Sequence, residues 1–308
     1  MQNFSILYMG MPTGGELSRL PLLALLEAGF NLCAVVMPGA KSEPDPIHLD
    51  PPDIDPAELD FVPMVSKHLA PSVITVAWEH KIPLIAIGSL KRPAAYEALA
   101  ALQPDLICVS CFSRIIPPAI LSLPKRGAIN LHPALLPRYR GPWPLFWQFK
   151  HGEGHTGVTM HYMAKQVDAG DIILQSEVPF EDGISATEAD RLCGEAGGRI
   201  MVEAANLIRA GTPPRRPQNE AQASYYPLPT RADLTVHTAQ PARRAFNFIR
   251  GVRQMVGEAP LEILVGETKF RTQEAVEYSA EAALGEPYRR EGDEVLIQFE
   301  PGVLRIKV

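Results

Sequence analysis

Asn130 and His132 stand two residues apart in the run GAINLHPALLPRYRGPWP, at the end of an apolar β-rich segment and ahead of prolines 133, 137, 142 and 144. On a strand, residues i and i+2 project from one face. An amide and an imidazole would therefore sit side by side under a stiff loop. A third polar group, Asp168, lies in the turn D-A-G-D before the apolar run IILQ. Aspartate in a turn commonly caps its own backbone; beside His132 it would instead orient and charge the imidazole. The three together suit acyl transfer without a covalent enzyme intermediate. An amine attacks a carbonyl, and Asn130 and His132 donate N–H groups to the oxygen as it gains charge. Asp168 holds the imidazole or accepts, through water, the proton that the amine sheds. No serine or cysteine nucleophile is needed. A purely structural Asn–His pair stands beside this reading at this point.

The elements that must position these groups alternate along the first two hundred residues. FSILYMG, NLCAVVMP, PLIAIG, DLICVSCF, GAINLH and GDIILQSEVPF read as strands. ELSRLPLLALLEAG, 70–81, 92–102, the short IPPAILSLP and the long TEADRLCGEAGGRIMVEAANLIRAG read as helices, with Pro21 expected to break the first turn of the first one. This βα rhythm predicts an α/β domain: a largely parallel sheet flanked by helices, with binding groups in loops beyond the strands' carboxyl ends. The acidic, proline-laden stretch 39–60 reads as an exposed loop. Past 205 the rhythm changes. Residues 206–221 read as a linker, and 222–308 combine a helix at ARRAFNFIRGV with the short strands LEILVG, EAVEYSA, EVLIQFE and VLRIKV, predicting a smaller β-barrel-like domain. The expected division is 1–205, 206–221 and 222–308.

With 308 residues and 46% hydrophobic content, the chain is long enough to bury a sizeable core. No apolar run is long enough for a transmembrane helix, so no membrane partner is expected. The start, MQNFSILYMG, reads as a first buried strand rather than a signal peptide. Four cysteines in so long a chain suggest a reducing, cytoplasmic setting rather than a disulfide framework. The net charge is −6, and residues 221–308 hold 11 Lys+Arg against 12 Asp+Glu, so only local patches could attract a nucleic acid. Arg243, Arg244, Arg250 and Arg253 are the best such patch, with salt bridges to nearby glutamates as the rival account.

NLHPALLPRYRGPWP resembles the Asn-x-His-x-Ser-Leu-Leu-Pro-x-x-Arg-Gly signature of enzymes that use 10-formyltetrahydrofolate to formylate an amine. HGEGHTGVTMHYM resembles the family's Gly-x-x-x-Thr-Gly-Val-Thr segment at Gly152, Thr156, Gly157, Val158 and Thr159, and the spacing to VDAGDI also fits. The family's two-domain members of closest layout are methionyl-tRNA formyltransferases. The resemblance covers about 1–215 well and 225–308 loosely, at AFNFIRGV and GVLRIKV. It implies a Rossmann-like formyltransferase domain, an OB-like second domain, and a catalytic trio falling on Asn130, His132 and Asp168. It implies 10-formyltetrahydrofolate as co-substrate, with no metal. The pterin would lie near Phe112, Ile115 and Ile116, against backbone groups of Ile87 and Gly88, with Val167 on the loop that closes the other side.

Departures from the family pattern bear on the acceptor. Ala134 stands where serine is usual, and YMGMPTGG replaces a Gly-Thr-Pro-Asp-Phe pattern. Residues 39–60 are acidic where transfer-RNA-acting members carry a basic loop, and such a loop repels a phosphate backbone. ASYYPLPTRADLTVH lacks the usual Asp-Gly-x-Ile-Asp-Trp run, and its SYYP is closer to the sugar-nucleotide branch. The implied acceptor is therefore methionyl-tRNA by family default, or a small amine such as an amino sugar nucleotide or biosynthetic intermediate. A catalytically silent folate-binding module is the third reading. Thr13, Gly14, Arg138 and Arg140 are the candidate acceptor contacts.

Other motifs carry less. MPTGGE, between a strand and a helix, reads equally as an anion cradle of backbone N–H groups and as a plain tight turn. Cys108 and Cys111 spell CVSC on a strand, where a redox or zinc pair would face opposite ways. His151, His155 and His161 lack the spacing for zinc and read as surface or turn histidines.

Overall fold

The computed structural model describes residues 4–41, 46–50 and 72–308. Most of the expected 39–60 loop, and the start of the helix expected at 70–81, lie outside the described residues. The elements run β1 (Ser5–Met9), α1 (Gly15–Glu27), β2 (Asn31–Pro38), β3 (Ile47–His48), α2 (Val73–Glu79), β4 (Leu84–Ile87), α3 (Pro93–Ala101), β5 (Leu106–Ser110), α4 (Pro118–Leu121) and β6 (Ala128–His132). They continue α5 (Pro144–His151), β7 (His155–Tyr162), β8 (Ile172–Pro179) and α6 (Ala186–Ala210). After two short 3-10 turns come β9 (Thr235–His237), α7 (Ala242–Val252), β10 (Leu261–Val265), β11 (Thr268–Thr272), β12 (Glu274–Ser279), β13 (Tyr288–Glu291), β14 (Glu294–Gln298) and β15 (Val303–Lys307).

Eight strands form one sheet in the order β3-β4-β2-β1-β5-β6-β7-β8. Its centre is parallel, with β1 between β2 and β5, β4 beside β2, and β6 beside β5. Central strands of a parallel sheet are covered on both faces and read as continuous apolar runs. That is why LIAI and LICVS are buried at every residue. β7 then runs antiparallel to β6, in a register that sets His161 opposite Asn130 and Thr159 opposite His132. The two-residue β3, antiparallel to β4, lies within the stretch expected to be loop.

Pro21 does not break α1, which continues through it. The ring removes the N–H that would have bonded the Leu17 carbonyl, and the buried Ser110 hydroxyl donates to that carbonyl instead at 2.6 Å. A side chain from β5 thus satisfies the group that the proline orphans.

The chain divides into two compact units, Met1–Pro137 with Gly157–Ser176 and Asp190–Ala223, and Arg138–Thr156 with Glu177–Ala189 and Ser224–Val308. In the second, β11-β10-β9 form a three-stranded sheet and β12-β15-β14-β13 a four-stranded one. Phe146 of α5 meets Phe248 of α7 edge-on at 5.6 Å within that unit. In the first unit α6 runs to Ala210, so the stretch expected to be a linker begins as helix. Beyond it Arg216 exchanges two backbone hydrogen bonds with Ile172 at the start of β8, at 2.8 and 3.0 Å.

Candidate active site

β6 delivers Asn130 and His132 to the sheet's carboxyl edge from one face, as their spacing predicts. His132 is buried, and Asn130 is half-buried. Asp168 comes from the turn between β7 and β8, where its backbone adopts the left-handed region at φ 53°. A non-glycine residue there is uncommon and needs outside support. Nδ1 of His132 lies 3.6 Å from Asp168 Oδ2, so the aspartate serves more than its own turn.

A fourth side chain joins them. His161, expected at the surface or in a turn, is 1% exposed and faces the same carboxylate, its Nε2 3.6 Å from Asp168 Oδ1. Its Nδ1 is 2.9 Å from the Tyr162 carbonyl, which places the ring proton there. Nε2 then accepts from the Asn130 amide at 3.2 Å. That bond uses one amide hydrogen and leaves the other to aim elsewhere. The two imidazoles stand nearly perpendicular at 80°, one on each oxygen of Asp168. The motif TMHYM held the missed signal: in a strand antiparallel to β6, a histidine opposite Asn130 shares its face.

The loop after β6 is braced by Thr159, opposite His132. Its buried hydroxyl donates to the Ala134 carbonyl at 2.6 Å and accepts from Leu136 N–H at 3.1 Å. Gln175 on β8 donates to both the Thr159 hydroxyl, at 3.0 Å, and the Leu136 carbonyl, at 2.9 Å. The Thr-Gly-Val-Thr segment thereby has a physical reading. Gly157 leaves room for the Leu135 side chain, which a Cβ would overlap, and Thr159 fixes the Leu-Leu-Pro turn.

Elsewhere the candidates divide. Ile87 and Ile116 lie inside a core cluster, while Phe112 and Met163 are partly buried against it. The Arg114 guanidinium donates to the Gly88 and Gly39 carbonyls. Ile115 and Val167 are exposed. The partly buried ring of Phe112, just beyond the carboxyl end of β5, has the chemistry to receive a flat ring.

The turn MPTGGE leads into a helix start that already holds a carboxylate. Glu16 and Leu17 N–H groups at the start of α1 already donate to Asp190 Oδ2 at 2.6 and 3.4 Å. The protein's own carboxylate occupies the place an anion would take. Thr13 is exposed beside it and Gly14 is half-buried.

In the second unit Arg138 pairs with Glu153, and Arg140 is buried with its backbone bonded to Ser224 and Tyr226. The expected arginine patch is engaged there too. Arg243 bonds Asp182 at 2.8 Å, Arg244 the Lys150 carbonyl, Arg250 the Gly183 carbonyl and Arg253 the Ala259 carbonyl. Burial drives the Cys108 thiol far up and Cys111 up to about 12, so neither supplies a thiolate at neutral pH. Among the described residues no cluster of His, Cys, Asp and Glu is placed to hold a metal ion, and no helix is long and apolar enough to cross a membrane.

A sequence model described as formyl transferase matches residues 65–205. A methionyl-tRNA formyltransferase of Syntrophus aciditrophicus is 35% identical over 259 residues, covering 83% of this chain and 75% of its own. This chain belongs to the formyltransferase family. A second methionyl-tRNA formyltransferase, from Geobacillus thermodenitrificans, is 32% identical over 246 residues and covers 80% and 70% of the two chains. Among solved structures, a Helicobacter canadensis N-formyltransferase in complex with folinic acid and dTDP-3-aminofucose superimposes with TM-score 0.68 at 16% identity, over 99% of this chain and 98% of that one. The last likeness speaks for the fold of the formyltransferase family alone.

Proposed function

We propose that this formyltransferase moves a formyl group from 10-formyltetrahydrofolate to the amine of methionyl-tRNA. The observation that carries the reading is the convergence of two imidazoles on the Asp168 carboxylate, with the Asn130 amide bonded to one of them. The amine attacks the formyl carbon, and its oxygen gains negative charge in a tetrahedral intermediate. Asn130, through its second amide hydrogen, and His132 stabilise that oxygen. Asp168, held between His132 and His161, orients the His132 imidazole and takes the proton the amine sheds, directly or through water. The carbonyl re-forms as the C–N bond to the folate breaks, and N10 leaves with the proton that Asp168 took from the amine, returned directly or through water.

The folate ring is assigned to the apolar edge at Phe112, with Ile87, Gly88 and Ile116 beneath it and Ile115 and Val167 as exposed walls. Within the first unit, Thr13 and Gly14 are the proposed acceptor contacts. Residues 1–205 are taken as the catalytic domain, 206–221 as the link and 222–308 as an OB-like second domain, working in the cytoplasm.

One observation favours a second acceptor class. The arginines at 243–253 are spent on internal carbonyls and a carboxylate, which weakens the case for a phosphate backbone and leaves a small amine, such as an amino sugar nucleotide, as the rival. A competition assay with equal methionyl-tRNA and dTDP-amino sugar, products read by mass spectrometry, separates them. Formylmethionyl-tRNA as the main product supports the proposal; a formylated sugar alone overturns it.

A further inference from the structure

We propose that Gln218 is a positioning residue for the reaction, and that residues 215–218 form a clamp that fixes the Asp168 turn. The inference rests on the formyl-transfer reading of the site. Gln218 lies beyond the residues matched by the family model and within the stretch expected to be a bare linker.

The Gln218 amide nitrogen donates to two carbonyls of the catalytic turn, Asp168 at 2.7 Å and Gly170 at 2.8 Å. Both amide hydrogens are thus spent on one short loop, one on the residue whose carboxylate meets the two imidazoles. That residue is the one in the left-handed region, so its orientation depends on what holds its peptide groups. Gly170 admits no side chain, because a Cβ would overlap the Tyr162 carbonyl. The turn is therefore pressed against the end of β7 on one side and tied to Gln218 on the other.

The neighbouring residues of the clamp act on the same loop. The Arg215 guanidinium lies 3.7 Å from the centre of the Tyr162 ring and 3.5 Å from Asp171 Oδ2. Arg216 is paired through its backbone to Ile172. Three anchors, Arg215, Arg216 and Gln218, thus grip the loop's two ends, and proline at 217 stiffens the segment between the last two. A carboxylate 3.6 Å from a nitrogen of each of two imidazoles works only if it is held there, since a small displacement of a reacting group costs rate steeply.

The test compares wild type, Gln218→Ala and Gln218→Glu by steady-state kinetics and by hydrogen exchange of the peptide spanning 163–171. Gln218→Glu keeps the shape but, when ionised, donates to neither carbonyl. Both variants are expected to lose about 10- to 100-fold in kcat with KM for folate and acceptor nearly unchanged, and to exchange faster in that peptide alone. In an Asp168→Asn background the loss from Gln218→Ala should shrink to less than about 2-fold, because the residue it positions is already disabled. Wild-type kcat in Gln218→Ala, or the same loss with and without Asp168, overturns the proposal. If wild type transfers no formyl group to any amine, the reaction reading falls, and the exchange result alone decides whether Gln218 holds the turn.

Discussion

At the scale of the residue, the site is a carboxylate shared by two imidazoles with an amide fastened to one of them. The grouping of Asn130, His132 and Asp168 was legible because two lie on one strand face and the third sits in a turn rich in polar residues. His161 was not legible as a site residue. The pairing of β6 with β7 decides its role, and a register between strands thirty residues apart leaves no mark in local sequence. His161→Ala removes the acceptor of the Asn130 amide and one flank of Asp168. Turnover should fall by about 10-fold or more, as for loss of a group that orients an oxyanion donor, while folate binding measured by fluorescence stays near wild type. A wild-type rate in this variant would remove His161 from the assembly.

At the scale of the element, the loop after β6 is held in place by a strand rather than by its own prolines. The buried Thr159 hydroxyl serves the Ala134 carbonyl, the Leu136 N–H and the Gln175 amide together. Thr159→Val keeps the shape and strands those partners, so urea unfolding should show a loss of about 1–3 kcal/mol. An unchanged midpoint would mean that the loop has other support. The sequence predicted the strands and helices of the parallel sheet from apolar periodicity, because central strands have no alternation to blur. It misjudged α1 at Pro21, where the compensating donor, Ser110, lies ninety residues away. The turn at MPTGGE could not be decided from sequence because Asp190, which fills it, is likewise remote.

At the scale of the whole molecule, long-range contacts again outrank chain order. Residues 138–156 and 177–189 group with 224–308 rather than with their sequence neighbours, and no composition shift marks those crossings. Asp190 carries a consequence for acid stability. Burial pushes its carboxyl up to about 6 from an ordinary 3.8, against the pull of the two N–H groups it accepts. The native state therefore holds the proton more tightly than the unfolded chain does. The group's stabilising contribution is full below the unfolded value and is lost as pH rises through about 6. Asp190→Asn keeps an oxygen for the Glu16 N–H without the charge. Its urea midpoint, relative to wild type, should rise from about pH 4 to about pH 7 and level off above; a difference that does not vary with pH would contradict that assignment.

The central claim concerns Asp168, and rapid-quench single turnover tests it most directly. Enzyme in excess is mixed with 10-formyltetrahydrofolate and methionyl-tRNA, and the formylated amine is counted for wild type and Asp168→Asn. The account predicts formyl transfer by wild type and a rate slowed by about 100-fold or more in the variant, the scale for losing an acid–base group. Equal rates in the two proteins would contradict it.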